Sequence, residues 1–352
     1  MQLTTVGIDL AKNVFQVHAV DERGRKLFNK SVKRAQLMEF VAKLPACLIG
    51  MEACSSAHYW ARKFQQMGHA VRLMAPQFVK PYVKTNKHDA ADAEAICEAV
   101  TRPNMRFVAI KNVEQQSVLA LHRARQGMVK ARTAQANQIR GLLSEYGLVI
   151  PQGIHQIRAQ AWALIEDAAN ELPGLFRILV DRLLQHLGEL DRQVVELEGL
   201  IEQWHRGNEA SRAIARIPGI GPITATALIA SIGDAKNFED GRQLAAWIGL
   251  VPRQSSSGGK QNLLGISKRG DVYLRTLLIH GARSVLFRAG QRQGVDDQCD
   301  WLNRLALRRN KNIAAVALAN KNARTVWALL AKGRVYDSRW ADGVAAKEAA
   351  IG

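Results

Sequence analysis

The chain has 352 residues, a hydrophobic share of 47% and a formal net charge of +18. This length allows two or three domains, and the apolar share can bury a core in each, which excludes a disordered basic tail. Because a large positive charge on a folded protein repels itself, it favours a polyanionic partner, and nucleic acid is the first hypothesis.

The cysteine pattern and the N-terminus together predict the compartment. Cys47, Cys54, Cys97 and Cys299 contain no CxxC pair, which excludes a zinc knuckle and a secreted disulfide framework. The N-terminus lacks a signal-peptide pattern, and no apolar run approaches membrane-spanning length. We therefore expect a soluble cytoplasmic protein with no membrane partner.

The first predicted domain covers residues 1–110 and alternates strands with helices. A meander of three strands is followed by helix, strand, helix, strand and a last helix that contains HDAADAEAICEAV. The strand patterns are LTTVGIDL, NVFQVHAV, KLFNKSV, ACLIGME and AVRLMA. Three hairpin strands followed by alternating helix and strand is the element order of a ribonuclease-H-like α/β domain.

Four acidic residues of this domain occupy positions typical of a metal site. Asp9 interrupts the apolar first strand, Glu52 ends the strand ACLIGME, and Asp89 and Asp92 share one face at a helix start. Taken alone, Asp89 is more simply interpreted as a helix cap. Together the four carboxylates form the hard oxygen set that two Mg²⁺ ions need for phosphodiester cleavage, so Mg²⁺ is the predicted cofactor.

The second predicted region, residues 111–206, consists of long helical patterns that are interrupted at VIPQG and ELPG. Leucine, isoleucine and valine recur at three- and four-residue steps between 183 and 201, beside many acids. This stripe fits an antiparallel structural spacer and a dimerising coiled coil equally well.

The third predicted region, residues 207–335, is mostly helical and is followed by a loosely ordered tail over 336–352. In IPGIGPITA, Gly219 and Gly221 stand in a tight turn that opens a helix. Such backbone N–H groups can bind a phosphate, as in the DNA-binding helix-hairpin-helix, although a plain structural turn has the same pattern.

A Ser- and Gly-rich loop, SSSGGK at 255–260, lies inside this helical region. A flexible linker would have a similar sequence. The loop is nevertheless short, is bounded by apolar LVP and LLG, and is followed by further cations. A hydroxyl among cations can act as a covalent nucleophile on phosphate, and the side chains predicted to neutralise phosphates are Lys260, Lys268, Arg269 and Arg275.

The positive charge is unevenly distributed along the chain. Residues 101–145, 242–288 and 303–336 are strongly basic, whereas residues 164–203 are acidic. We interpret the basic segments as two nucleic-acid surfaces, one after the carboxylate domain and one in the Ser-bearing domain. The acidic segment between them would space or dimerise the protein.

Motifs from both ends of the chain resemble the Piv-like insertion-sequence transposases and DNA invertases. These motifs are GIDLAKN, IGMEACSSAHYW, KHDAADAEAI, RIPGIGPITA, LAAWIGLVPRQSSSGGK and GISKRGDVYLRTLLIHGAR. The resemblance implies a RuvC-like domain with an Asp-Glu-Asp-Asp tetrad at Asp9, Glu52, Asp89 and Asp92, a helical coil, and a C-terminal serine transposase domain. The serine before the Gly pair, Ser257, best matches the family nucleophile, with Ser256 the near rival.

The same resemblance implies chemistry and partners. Members of that family form a transient phosphoserine link to DNA, and in several a structured non-coding RNA bridges donor and target DNA while the enzyme assembles as a tetramer. Our hypothesis is thus a Mg²⁺-dependent transposase or recombinase that acts as a dimer or tetramer on DNA, guided by RNA. The alternatives are a junction-resolving nuclease that uses water and a non-catalytic nucleic-acid-binding protein.

Overall fold

The computed structural model describes residues 2–84, 88–256, 260, 262–291 and 300–337. The chain divides into two compact units, Met1–Glu114 and Gln115–Gly352. A further boundary near residue 206, within the second unit, stays a prediction.

A six-stranded mixed sheet forms the centre of the first unit. The strand order is β3-β2-β1-β4-β5-β6, where β1 pairs antiparallel with β2 and parallel with β4. The strands are β1 Leu3–Asp9, β2 Val14–Asp21, β3 Lys26–Lys33, β4 Leu48–Glu52, β5 Ala70–Met74 and β6 Phe107–Val108. The five longer strands confirm the predicted meander and the two predicted strands that follow it. These two strands, β4 and β5, pair in parallel.

Helices cover both faces of this sheet. The helices are α1 Leu37–Ala42, α2 Ala57–Gln66, α3 Pro76–Val79 and α4 Asp89–Val100, with short 3₁₀ turns at Arg34–Gln36 and Lys80–Tyr82. Trp60 and Phe64 of α2 join the apolar side chains of β1 and β2 in one core. Ile96 and Val100 of α4 join Met74 in a second. Because helices cover β1 on both faces, Val6, Gly7 and Ile8 are all buried.

The second unit is mostly helical, as predicted. Its helices are α5 Val113–Ser144, α6 Ile154–Glu166, α7 Gly174–Gly207, α8 Glu209–Ile214, α9 Pro222–Ile232, α10 Gly241–Ile248, α11 Val272–Gln291, α12 Asp300–Arg308 and α13 Lys311–Lys332, with a 3₁₀ turn at Ala235–Asn237. The first two residues of α5 are the last two of the first unit. The C-terminal part of α5, the N-terminal half of α7 and helix α6 form one core. Helices α8 to α13 form another.

Two strands in the second unit were not expected from the sequence. β7, Pro252–Gln254, and β8, Leu263–Ile266, pair antiparallel in a two-stranded ribbon. The Ser loop connects these two strands, so it belongs to a hairpin inserted between helices. In the described part of the chain, every helix is too short or too polar to cross a membrane.

Candidate active site

The pairing of β1 with β4 brings two predicted acids to one edge of the sheet. The parallel register pairs Ile8 with Met51, and the next residue of each strand is its last, Asp9 in β1 and Glu52 in β4. Neighbouring parallel strands that end together present their last side chains at the same edge, where α/β sites gather. Both side chains are half-buried.

Two glycines determine how closely α4 approaches this edge. A Cβ added at Gly7 would lie 2.3 Å from the Ala93 carbonyl oxygen and 2.5 Å from the Cys97 nitrogen. One added at Gly50 would lie 2.7 Å from the Val100 Cβ. The helix therefore packs directly on the backbone of β1 and β4, and its first turn reaches the strand ends.

Three of the four predicted acids converge as a result. One carboxylate oxygen from each of Asp9, Asp89 and Asp92 lies within 4.8 Å of the others. Asp89 is not the helix cap, because His88 occupies that position and its Nδ1 accepts a hydrogen bond from the Ala90 N–H at 3.1 Å. Three carboxylates at this spacing form a donor set that fits a hard divalent cation such as Mg²⁺ or Mn²⁺.

Glu52 lies beside this group without sharing the 4.8 Å spacing. Its pKa is raised, first by burial and then by the negative charges of Asp9 and Asp92. Glu52 ends β4 beside the end of β1, so it lies at the same sheet edge as Asp9. A cation bound by this group would favour the ionised carboxylate.

The sequence did not single out Cys54, whose thiol is influenced by two of the acids. Its pKa is raised by burial and then by the charges of Glu52 and Asp9. A high pKa keeps the thiol protonated, so Cys54 is a neutral neighbour of the carboxylates. The position of Cys54 in the sequence, two residues after Glu52, could have indicated that it lies near the acids.

The structure places only part of the predicted Ser loop. Ser257 lies outside the described residues. Ser256 is exposed, and its Oγ accepts a hydrogen bond from Gln254 Nε2 at 2.9 Å. Lys260, Lys268 and Arg269 are all exposed on or beside the ribbon.

Arg275 is placed differently from the other predicted phosphate ligands. It is 7% exposed, and its Nη1 donates to the carbonyl oxygens of Ile248 at 2.9 Å and Arg269 at 3.2 Å. This guanidinium connects the two chain segments that flank the ribbon. Its burial favours a structural role for Arg275, and a phosphate contact by Arg275 stays a prediction.

The glycine turn connects two helices, α8 and α9, in the order that the sequence predicts. Gly219 adopts a φ of +88°, and Gly221 caps α9, which begins with Pro222. A Cβ on Gly219 would lie 2.9 Å from the Gly281 carbonyl oxygen of α11, so packing alone already requires this glycine. Gly221 is exposed at the start of α9, and phosphate binding there stays a prediction.

The acidic segment has a structural role inside the helical unit. Glu198 of α7 accepts hydrogen bonds from Arg125 of α5. Asp191 accepts bonds from Arg132 of α5 and Arg158 of α6. Arg125 and Arg132 belong to the basic segment 101–145, so two of its cations form ion pairs with α7. A nucleic-acid surface on the rest of that segment stays a prediction.

A mixed sheet with acids at the ends of two parallel strands and at the start of a packed helix agrees with a DEDD nuclease-like domain. A DEDD-type model described as "Transposase" matches residues 6–148. A second model, described as "Transposase IS116/IS110/IS902 family", matches residues 211–295. The chain belongs to this family of insertion-sequence transposases.

Curated relatives match the chain over nearly its full length. A "Probable family 20 transposase" of Pseudomonas aeruginosa is 52% identical over 340 residues, 96% of this chain and 99% of the relative. The transposase for insertion sequence element IS1111A of Coxiella burnetii is 46% identical, covering 94% and 90%. That for IS1328 of Yersinia enterocolitica is 43% identical, covering 95% and 98%. The transposase part of the predicted function is thereby confirmed.

Proposed function

We propose that this transposase cuts and joins DNA with Mg²⁺ held by Asp9, Glu52, Asp89 and Asp92. The observation that carries the proposal is the approach of oxygens from Asp9, Asp89 and Asp92 to within 4.8 Å. Like charges this close repel one another, and a divalent cation bound among them removes the repulsion. The strand order of the first unit supports a RuvC-like, ribonuclease-H-like assignment.

The four acids reach the proposed metal centre from different elements of the first unit. Asp9 and Glu52 are fixed on strand ends, while Asp89 and Asp92 reach the same centre from one helix turn. A bound Mg²⁺ would supply positive charge to a phosphate and to its attacking or leaving oxygen. The protein orients its carboxylates beforehand, so little rearrangement is needed at the moment of reaction.

The nucleophile in this proposal is Ser257, with Ser256 as its rival. The serine Oγ forms a bond to phosphorus while the bond from phosphorus to one deoxyribose oxygen breaks. The serine loses its proton, and the freed deoxyribose oxygen gains one. The phosphoserine link keeps the bond energy for a second DNA end to use. The exposed cations Lys260, Lys268 and Arg269 support an anionic substrate near the loop.

The nucleic-acid partners and the assembly extend the proposal. DNA is the substrate, Gly219 and Gly221 contact its phosphates, a structured RNA guides the choice of site, and the enzyme works as a dimer or tetramer. The resemblance and the exposed basic residues support these points. Sequencing of nucleic acid recovered with the purified protein tests the RNA: a single defined RNA is expected, and recovery of random cellular RNA alone contradicts it.

Substitution of the acids tests the metal-dependent step. Asp9→Asn with Asp92→Asn should abolish Mg²⁺-dependent strand cleavage and exchange on element-end DNA. Glu94→Gln is the matched control, because Glu94 is on the same helix but pairs with Lys84 at 3.7 Å, outside the acidic group. Full cleavage by the double variant would exclude these carboxylates from the reaction, whereas DNA binding without cleavage in both wild type and variant would favour the non-catalytic binding protein.

Substitution of the serines tests the covalent step. Ser257→Ala should remove the covalent protein–DNA adduct and recombination together, while Ser256→Ala retains both. Strand cleavage without an adduct in Ser257→Ala favours the nuclease that uses water. Full recombination by Ser257→Ala excludes Ser257 as the nucleophile.

A further inference from the structure

A row of polar side chains crosses the sheet beneath α4. The strand registers pair Asp9 with Gln16 and Gln16 with Ser31, and they pair Gly7 with His18 and His18 with Asn29. Residues directly opposite one another in antiparallel strands point to the same face, so these side chains share the face on which α4 packs. Polar groups there have no part in the apolar core of the unit.

Hydrogen bonds connect this row and fix the orientation of Asn29. Ser31 Oγ donates to Gln16 Oε1 at 2.7 Å, and Gln16 Nε2 donates to Asn29 Oδ1. With Oδ1 so occupied, the Asn29 amide nitrogen points toward α4 and His18. It donates to His18 Nδ1 at 3.1 Å, and His18 is 4% exposed.

The same amide nitrogen reaches the helix that carries two of the acids. Asn29 Nδ2 donates to the Ala90 carbonyl oxygen at 3.1 Å. Ala90 lies between Asp89 and Asp92 in the first turn of α4, where a carbonyl oxygen has a second lone pair for an outside donor. A hydrogen bond at this point restricts movement of the turn along and away from the sheet.

We propose that Asn29 is a positioning residue for the metal site: through Ala90 it holds the first turn of α4 so that Asp89 and Asp92 meet Asp9. Gln16 and Ser31 keep the amide in the orientation that donates to the helix. This inference rests on the proposed metal-binding function. Groups bonded to the metal ligands themselves commonly change metal affinity by 10- to 100-fold when they are removed. Because Asn29 acts through the backbone between two ligands, we expect an effect of about tenfold.

The test is the affinity of the full-length protein for Mn²⁺, measured by electron paramagnetic resonance of the free ion. Asn29→Ala should weaken Mn²⁺ binding by about tenfold. Asn29→Leu keeps the side-chain volume, removes the donor and should weaken binding equally, which also covers a failure of the alanine variant to fold. Asn170→Ala is the matched control, because Asn170 Nδ2 donates to the Leu164 carbonyl oxygen of a helix in the other unit at 2.7 Å.

The outcomes separate this inference from the proposed function. Weaker Mn²⁺ binding in the Asn29 variants, with unchanged binding in Asn170→Ala at a similar loss of Tm, supports the positioning role. Loss of Tm without loss of Mn²⁺ affinity overturns it. Asp9→Asn serves as the reference: if it leaves Mn²⁺ binding intact, the metal site itself is wrong, whereas strong loss there beside normal binding in the Asn29 variants rejects only the role of Asn29.

Discussion

The carboxylate group of the first unit and the serine ribbon of the second are held by opposite means. Asp9 and Glu52 end buried strands, and α4 closes on them where Gly7 and Gly50 leave no room for a Cβ. The residues of β7 and β8 are almost all exposed, with Leu263 at 62%. An isolated two-stranded ribbon is marginally stable in water. The position of this ribbon therefore depends on its base, which we define as the chain segments 247–249 and 269–270 that flank it.

Backbone contacts and one buried cation fix that base. A Cβ on Gly249 would lie 1.9 Å from the Arg269 carbonyl oxygen, and one on Gly270 would lie 1.9 Å from that of Trp247. Arg275 connects the same two segments through carbonyl oxygens. The acidic group is thus positioned by core packing, and the strands of the ribbon by a small set of polar and backbone contacts at their base.

The largest expected effect comes from filling the gap between β1 and α4. In Gly7→Val the new side chain collides with the backbone of Ala93 and Cys97, which cannot turn aside as a side-chain end can. We expect a loss of about 3 kcal/mol or more in unfolding free energy and loss of Mn²⁺ binding. Chemical denaturation and Mn²⁺ titration measure the two.

Gly127→Ala provides the control for this change. Gly127 lies inside α5, and nothing is within 4 Å of an added Cβ. Alanine there should stabilise the protein by about 1 kcal/mol, because glycine is the poorer helix former. Normal stability and Mn²⁺ binding in Gly7→Val would mean that packing does not set the position of α4.

A second prediction concerns the polar contacts that join α5, α9 and α11. His122 of α5 bonds through Nδ1 to the Tyr273 hydroxyl at 2.9 Å and through Nε2 to Thr226 Oγ1 at 3.0 Å. Burial, and secondly Arg125, lowers the pKa of His122 to about 4 from its ordinary 6.5. Between these values the unfolded chain binds a proton that the folded protein does not, so stability falls as pH falls from 6.5 to 4.

Between pH 6.5 and pH 4, the unfolding free energy should fall by on the order of 3 kcal/mol because of His122. This fall is measured as the difference between the unfolding free energies of the wild type and His122→Asn at each pH. The asparagine variant should be less stable at pH 7 and lack this part of the acid-induced loss. Parallel profiles for wild type and His122→Asn would contradict the assignment.

The positions of Asp9 and Glu52 on their strands could be predicted from the sequence. Asp9 in an apolar strand and Glu52 at the end of another could be placed because the hydrophobic pattern fixes where strands lie and end. The bonds of Asn29 to Ala90 and of Arg125 to Glu198 could not be predicted, because each depends on partners that only the tertiary fold brings together. The burial of Arg275 was missed for the same reason, since its carbonyl partners carry no side-chain signal.

A third prediction separates the base of the ribbon from its surface. Arg275→Met removes the donor to two carbonyl oxygens and should cost about 2 kcal/mol in unfolding free energy. Strand exchange should fall with it, while Mn²⁺ affinity stays at the wild-type value because the first unit is untouched. Thermal unfolding and Mn²⁺ titration of one preparation measure both. A variant that unfolds like the wild type would show that the base is held by the glycine contacts alone.

The smallest expected effect on stability is at the exposed cation beside the ribbon. Arg269→Ala keeps the carbonyl oxygen that accepts from Arg275 and removes only an exposed guanidinium, so Tm should change little. If that guanidinium contacts a DNA phosphate, the dependence of log K on log salt for duplex DNA should lose about one unit of slope. Fluorescence anisotropy at several salt concentrations measures this slope, with Arg206→Ala as a control, because Arg206 already pairs with Glu202 on the surface of α7. An unchanged slope in Arg269→Ala removes this residue from the DNA-binding surface, and an equal loss in Arg206→Ala means that the effect follows net charge and not position.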